Sequence, residues 1–197
     1  MRVTKQAMTE NNLKIVDEAA RLFREKGIEA TSVADVMGAA GLTHGGFYRH
    51  FSSKDDLVSV AIKKASDDMA GDLKKDISQQ GEKQAIADFV RRYLSEQHVT
   101  NLGKGCPIAA LGAEVDRKSK AHRDAITLGS EQLIDLLALG IDGEPDDVHA
   151  KATGLLATLV GTLILARSAK TKALMNQILS SGYRAAELCR THREKNK

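Results

Sequence analysis

The chain has 197 residues, with 29 Lys and Arg against 26 Asp and Glu. That surplus is too small to mark a polyanion binder by bulk charge, so any nucleic-acid contact has to be local. A 42% hydrophobic content suits one packed core or two small ones, while four Phe, three Tyr and no Trp exclude a large aromatic cage. Cys106 and Cys189 lie too far apart for metal-ligand spacing or a disulfide framework, which makes a reducing cytoplasm the default compartment. The N-terminus has no apolar core of the kind a signal peptide needs. The longest apolar stretch, residues 155–166, reads as too short to span a bilayer, so no membrane is expected as a partner.

In chain order, the spacing of Leu13, Ile15, Val16, Ala19, Ala20, Leu22 and Phe23 predicts a helix over about 10–26, closed by Gly27. Ser32 can cap a second helix carrying Val33, Val36 and Met37. Gly41 supplies a permissive turn, and Thr43 can cap a third helix beginning at His44. Two short helices around a glycine turn form a helix-turn-helix. Phe47 and Phe51 form the inner face of the second, leaving Thr43, His44, Gly45, Tyr48 and Arg49 to point outward. Residues 1–60 hold eight Lys/Arg and eight Asp/Glu, so a few cations and helix N-termini would have to make the phosphate contacts.

A long helix follows from Lys54 and breaks near Gln79-Gln80-Gly81. Further helices are expected over about 82–94, from Pro107 through Val115, over about 121–139, 146–168 and 172–191. A glycine-bearing loop over 100–105 precedes Pro107, and a turn-rich break covers 140–145. No segment reads convincingly as a strand. The expected fold is all-α, with about nine helices: a three-helix head over 1–58 and a helical body over 59–197.

The run Phe47-Tyr48-Arg49-His50-Phe51-x-x-Lys54-x-x-Leu57, with Leu22-Phe23 and Gly27 upstream, resembles the N-terminal domain of the TetR (tetracycline repressor) family of bacterial transcription regulators. The resemblance covers roughly the first sixty residues and becomes one of layout beyond about residue 65. It implies a homodimer on a palindromic double-stranded DNA operator, two reading heads about 34 to 36 Å apart or a multiple of that, and a small-molecule effector. The expected DNA-binding residues are Lys5, Ser32, Thr43, His44, Gly45, Tyr48, Arg49, His50 and Lys54. Thr43 and His44 are candidates for base edges, and for Tyr48 and Lys54 the resemblance suggests phosphate anchoring. His44 is alternatively a phosphate contact only. Ala34 departs from the longer polar residue that many members place there, which removes an expected contact from the first helix of the motif.

Gly154, Leu155, Thr158, Gly161 and Ile164 mix small and branched residues on nearly every face of one helix. Together with Leu179 and Tyr183 on the last helix they are the expected dimerisation residues, a four-helix interface being the layout the resemblance implies. Effector-pocket candidates are Met69, Phe89, Tyr93 and His98, followed by Cys106, Leu111, Glu114 and His122. Cys106, beside Lys104 at the mouth of a helix, has two readings: a thiolate-prone sensor released by modification, or a small buried residue. The six histidines fall in no metal motif and no Ser-His-acid arrangement, and no glycine-rich loop follows a strand, so no cofactor, metal site or catalytic residue is expected. The basic tail over 190–197 reads as a solvated end. The rival to a regulator, most simply a repressor, is a helical protein-interaction module without operator binding.

Overall fold

The computed structural model describes residues 5–115 and 119–190; the tail from Thr191 on lies outside the described residues. Among these, the helices are α1 (Lys5–Lys26), α2 (Val33–Ala39), α3 (Lys54–Gln80), α4 (Glu82–Tyr93), α5 (Glu96–Thr100), α6 (Pro107–Val115), α7 (Lys120–Ala138), α8 (Pro145–Arg167) and α9 (Lys172–Arg190). Two 3-10 helices, His44–Arg49 and Leu102–Lys104, complete the secondary structure, and no strand occurs among the described residues. The all-α architecture is the expected one. Glycines punctuate it where the backbone turns left-handed: Gly27 at φ 86°, Gly41 at φ 70° and Gly81 at φ 83° end α1, the α2 turn and α3.

The chain divides into two compact units. The first is Met1–Asp67 with Leu102–Leu128, the second Asp68–Asn101 with Gly129–Lys197. The first therefore takes in a stretch of chain well beyond the 1–58 head read from the sequence. Its core gathers Ile15, Ala19 and Phe23 of α1, Val36 and Met37 of α2, Phe47, and Leu57, Val58 and Ile62 of α3, together with Leu111 and Val115 of α6 and Ala125 of α7. Phe23 and Phe47 are 1% and 0% exposed, and burial of such a ring contributes about 1.5–3 kcal/mol.

Polar clasps fix α6 on α1. The Glu114 carboxylate accepts the Ile28 N–H at 2.8 Å, and the Arg24 guanidinium donates to the Gly105 carbonyl at 3.3 Å. The hydroxyl of buried Thr31 donates to the Gly27 carbonyl at 2.8 Å. On the first turn of α7, His122 is 1% exposed and its Nε2 lies 3.0 Å from the Asp55 carbonyl of α3.

The second unit is built on α8 and α9, with α4 and α5 packed against them. Leu155, Leu159 and Leu163 of α8 are fully buried, and Gly182 of α9 sits against Thr162, leaving no room for a Cβ. Helix α8 has 23 residues and is, by length and composition, long and apolar enough to cross a membrane. The expectation drawn from 155–166 differs because the helix starts at Pro145 and its Ala, Gly and Thr residues extend the apolar window. Its inward leucines pack within the unit, while Ile164 (48% exposed) and Leu165 (59%) face outward.

Candidate nucleic-acid interface

The reading segment is held by caps on both sides. Ser32 Oγ accepts from Asp35 N at 3.1 Å, and the Asp35 carboxylate accepts from Ser32 N at 2.9 Å, a reciprocal capping box at the start of α2. The Ser32 hydroxyl, with help from its amide, holds the Asp35 carboxyl below the usual carboxylate range. At the other side Ser53 Oγ accepts from Asp56 N at 3.0 Å, while the Asp56 carboxylate accepts from Ser52 N at 3.1 Å. This fixes the first turn of α3, where half-buried Lys54 stands.

Between these caps the reading helix is a 3-10 helix over His44–Arg49, and Thr43 makes no side-chain capping hydrogen bond. This corrects the expected Thr43 cap. The Gly45-Gly46 pair is a poor α-helix former, which weakens the α-helical alternative over this short segment. Phe47 anchors the segment, stacked on Phe51 at 5.7 Å and edge-on to Tyr48 at 5.3 Å. Thr43, His44, Gly45 and Arg49 are exposed, Tyr48 is 71% exposed, and His50 is half-buried.

Several cations of the first unit are paired with carboxylates, whereas two on this surface are not. Arg21 is clasped by Glu18 and Glu25, and Lys64 pairs with Asp17 at 3.1 Å. Among the described residues, Arg49 and Lys54 pair with no carboxylate. Lys5, exposed at the start of α1, is the remaining expected cation. Two cations without counter-ions beside hydroxyl, imidazole and bare backbone groups make a surface able to position phosphates and reach base edges.

The other candidates are split between the two units. Met69, Phe89, Tyr93 and His98 belong to the second; Cys106, Leu111, Glu114 and His122 belong to the first. In the second unit Phe89 and Tyr93 lie 5.7 Å apart, and the His98 ring stands edge-on to Tyr93 at 4.5 Å. His98 Nδ1 lies 2.7 Å from the Tyr93 carbonyl, and Arg167 donates to the His98 carbonyl at 3.2 Å. Burial depresses the His98 imidazole below its ordinary value; the Tyr93 carbonyl opposes this and the Arg167 charge adds to it. In the first unit Leu111 is core, Glu114 and the Nε2 of His122 are engaged in the hydrogen bonds above while His122 Nδ1 is buried without a hydrogen-bond partner, and Cys106 is a fully buried thiol at the start of α6. Of the dimerisation candidates, Leu155 is wholly buried, while Gly154 and Gly161 have nothing near the position of a Cβ and Ile164 is exposed. Leu179 and Tyr183 line a cleft against the end of α4. The sequence reading missed Leu165, Leu174 and Leu188, all exposed on α8 and α9.

Residues 15–61 match the family model described as bacterial regulatory proteins, tetR family. An uncharacterized HTH-type transcriptional regulator of Mycobacterium tuberculosis, Rv0196, is 28% identical over 163 residues, 78% of this chain and 82% of that protein. The N-terminal segment of the chain is that of the TetR family. The HTH-type transcriptional regulator AcrR of Shigella flexneri is 42% identical over 72 residues, 36% of this chain and 33% of that protein. A crystal structure of a TetR transcriptional regulator from Chloroflexus aurantiacus superimposes with a TM-score of 0.73 at 25% identity, covering 91% of this chain and 95% of the other. The reduced form of Escherichia coli NemR does so with a TM-score of 0.73 at 20% identity, covering 88% and 95%, and shows a shared fold.

The chain thus carries the N-terminal segment of TetR-family transcriptional regulators, and members of this family are not enzymes. The matched residues begin inside α1 and end inside α3, so they span the capped reading segment and its two supporting helices.

Proposed function

We propose that the chain is a ligand-responsive repressor that binds a palindromic operator as a homodimer in the cytoplasm. The observation that carries this reading is the surface formed by Thr43, His44, Gly45, Tyr48, Arg49 and Lys54, where both cations lack counter-ions and every outward group can hydrogen-bond or expose backbone. Ser32, Lys5 and His50 flank it as further phosphate contacts. Its head is neutral over residues 1–60, so affinity depends on a few placed contacts.

Dimerisation is supported by outward apolar residues on two long helices. Gly154, Thr158 and Gly161 run along α8 toward exposed Ile164 and Leu165, and Leu174 and Leu188 are exposed on α9. Open glycines let a second helix approach closely, and the same faces on a second copy complete a four-helix interface. Covered this way, α8 is a core helix of an assembly and needs no bilayer. The effector contacts in this reading are Met69, Phe89, Tyr93 and His98. Burial of Cys106 makes it a packing residue, reached by reagents only when α6 moves.

An effector releases the operator by favouring a conformer whose heads are wrongly spaced, which requires different affinities for the two conformers. Fluorescence anisotropy on DNA upstream of the gene and on genome-selected fragments, in rising salt, tests the regulator; light scattering tests the dimer. Saturable, salt-dependent binding by a dimer supports the reading, and Ile164→Glu should yield monomers with at least tenfold weaker binding. Failure to select any DNA from the genome overturns it in favour of a protein-interaction module.

A further inference from the structure

The end of α4 and the middle of α9 enclose an open cleft of about 570 Å³ inside the second unit, lined by Arg91, Leu94, Ser95, Leu179, Ser180, Tyr183 and Arg184. None of the effector-pocket candidates lines it. Leu94 and Leu179, 7% exposed each, form an apolar floor, and a guanidinium stands on each wall: Arg91 from α4 and Arg184 from α9. Among the described residues, no carboxylate lines the cleft. Arg91 is engaged by the Tyr183 hydroxyl and by Asp88. Other arginines of this unit have carboxylate partners, Arg92 with Asp76 and Arg190 with Glu187. Arg184 donates to the Ser181 hydroxyl at 3.3 Å and, among the described residues, pairs with no carboxylate.

With one guanidinium neutralised and one not, the cleft carries a single positive charge over an apolar floor. An inorganic anion would satisfy the charge and leave Leu94 and Leu179 wet. A wholly apolar guest would strip water from Arg184 with no return. We propose that the cleft is a binding site for a small organic monoanion with an apolar body, its carboxylate held by Arg184 with Ser180 at its side and its body lying on Leu94, Leu179 and the Tyr183 ring. The volume falls in the range of small-molecule sites, and the fork of Arg184 matches a carboxylate bidentately. Neither Tyr93 nor His98 lines this site, and it does not depend on operator binding.

The test is calorimetric titration of the full chain with 2-naphthoate, its neutral isostere 2-naphthamide, and inorganic phosphate. The site requires one saturable naphthoate per chain, with the amide and phosphate each about tenfold weaker or worse. Arg184→Gln should lose about tenfold in naphthoate affinity with unchanged far-UV dichroism and unchanged mass by light scattering, and Arg184→Lys should recover part of it. Equal binding of naphthoate and naphthamide overturns the proposal, as does an Arg184→Gln variant that binds like wild type. If Arg184→Gln alters the oligomeric mass, the arginine belongs to an interface between copies and the proposal also fails.

Discussion

Glu114 and Gly27 offer a sharp test of how α6 is held on the head. Glu114→Ala removes the acceptor 2.8 Å from the Ile28 N–H, at a residue only 3% exposed. A buried N–H left without a partner costs about 1–3 kcal/mol. Gly27→Ala acts twice in wild type: its φ of 86° strains any L side chain by about 1–2 kcal/mol, and its new Cβ would meet the Glu114 carboxylate oxygen at 2.7 Å. Moving that carboxylate breaks the same Ile28 hydrogen bond. The two substitutions therefore share one loss, and the double variant should be less destabilised than the sum of the singles by about 1 kcal/mol or more. Urea unfolding followed by far-UV dichroism measures the cycle. Exchange of the Ile28 amide reads the bond directly, accelerating about 5- to 150-fold in Glu114→Ala and much less in Glu114→Gln, which keeps an acceptor. Additivity within about 0.3–0.5 kcal/mol, or an unchanged Ile28 exchange rate, refutes the reasoning.

Arg49→Ala should weaken DNA binding across sequences and flatten the slope of log affinity against log salt by about 0.9 per head that loses a phosphate contact, measured by anisotropy. His98 is depressed by burial from an ordinary value of 6.5, so the unfolded chain takes up this proton first. Its contribution is full above about pH 6.5 and declines as pH falls below it; His98→Gln should flatten thermal stability between pH 7 and 5.5 relative to wild type. Cys189 is half-buried and Cys106 is 0% exposed. Thiol titration with an aromatic disulfide should show one fast and one slow cysteine, with the slow one absent in Cys106→Ser; two fast thiols would restore the sensor reading of Cys106.

Helix ends were largely legible because single residues enforce them. Gly27, Gly41 and Gly81 adopt the positive φ that only glycine takes cheaply, and Ser32 caps α2 as its side chain and position imply. The 3-10 winding of the reader was not, since apolar spacing over six residues fits either helix type. Helix α5 escaped because its five residues hold too little apolar period to register against the flanking loop. The roles of Glu114, His122 and Leu111 were unreadable for another reason: each is fixed by a partner at large sequence separation, Glu114 by Ile28 and His122 by Asp55. On α9 Leu179 and Tyr183 were read as dimerisation residues, but helical period does not say which neighbour a side chain meets, and both line a cleft with the end of α4.

The core of the first unit has a consequence for the order in which the chain becomes competent. Leu111, Val115 and Ala125 belong to the same core as Phe23 and Phe47. At roughly 5–20 residues per second, the ribosome takes about 3 to 12 s to pass from the end of the first segment at Asp67 to Leu128. During that interval the reading helix has been made but part of the core it shares has not. The nascent head should be aggregation-prone and unable to hold DNA until most of the chain has emerged, so a chain stalled early in synthesis would not occupy the operator.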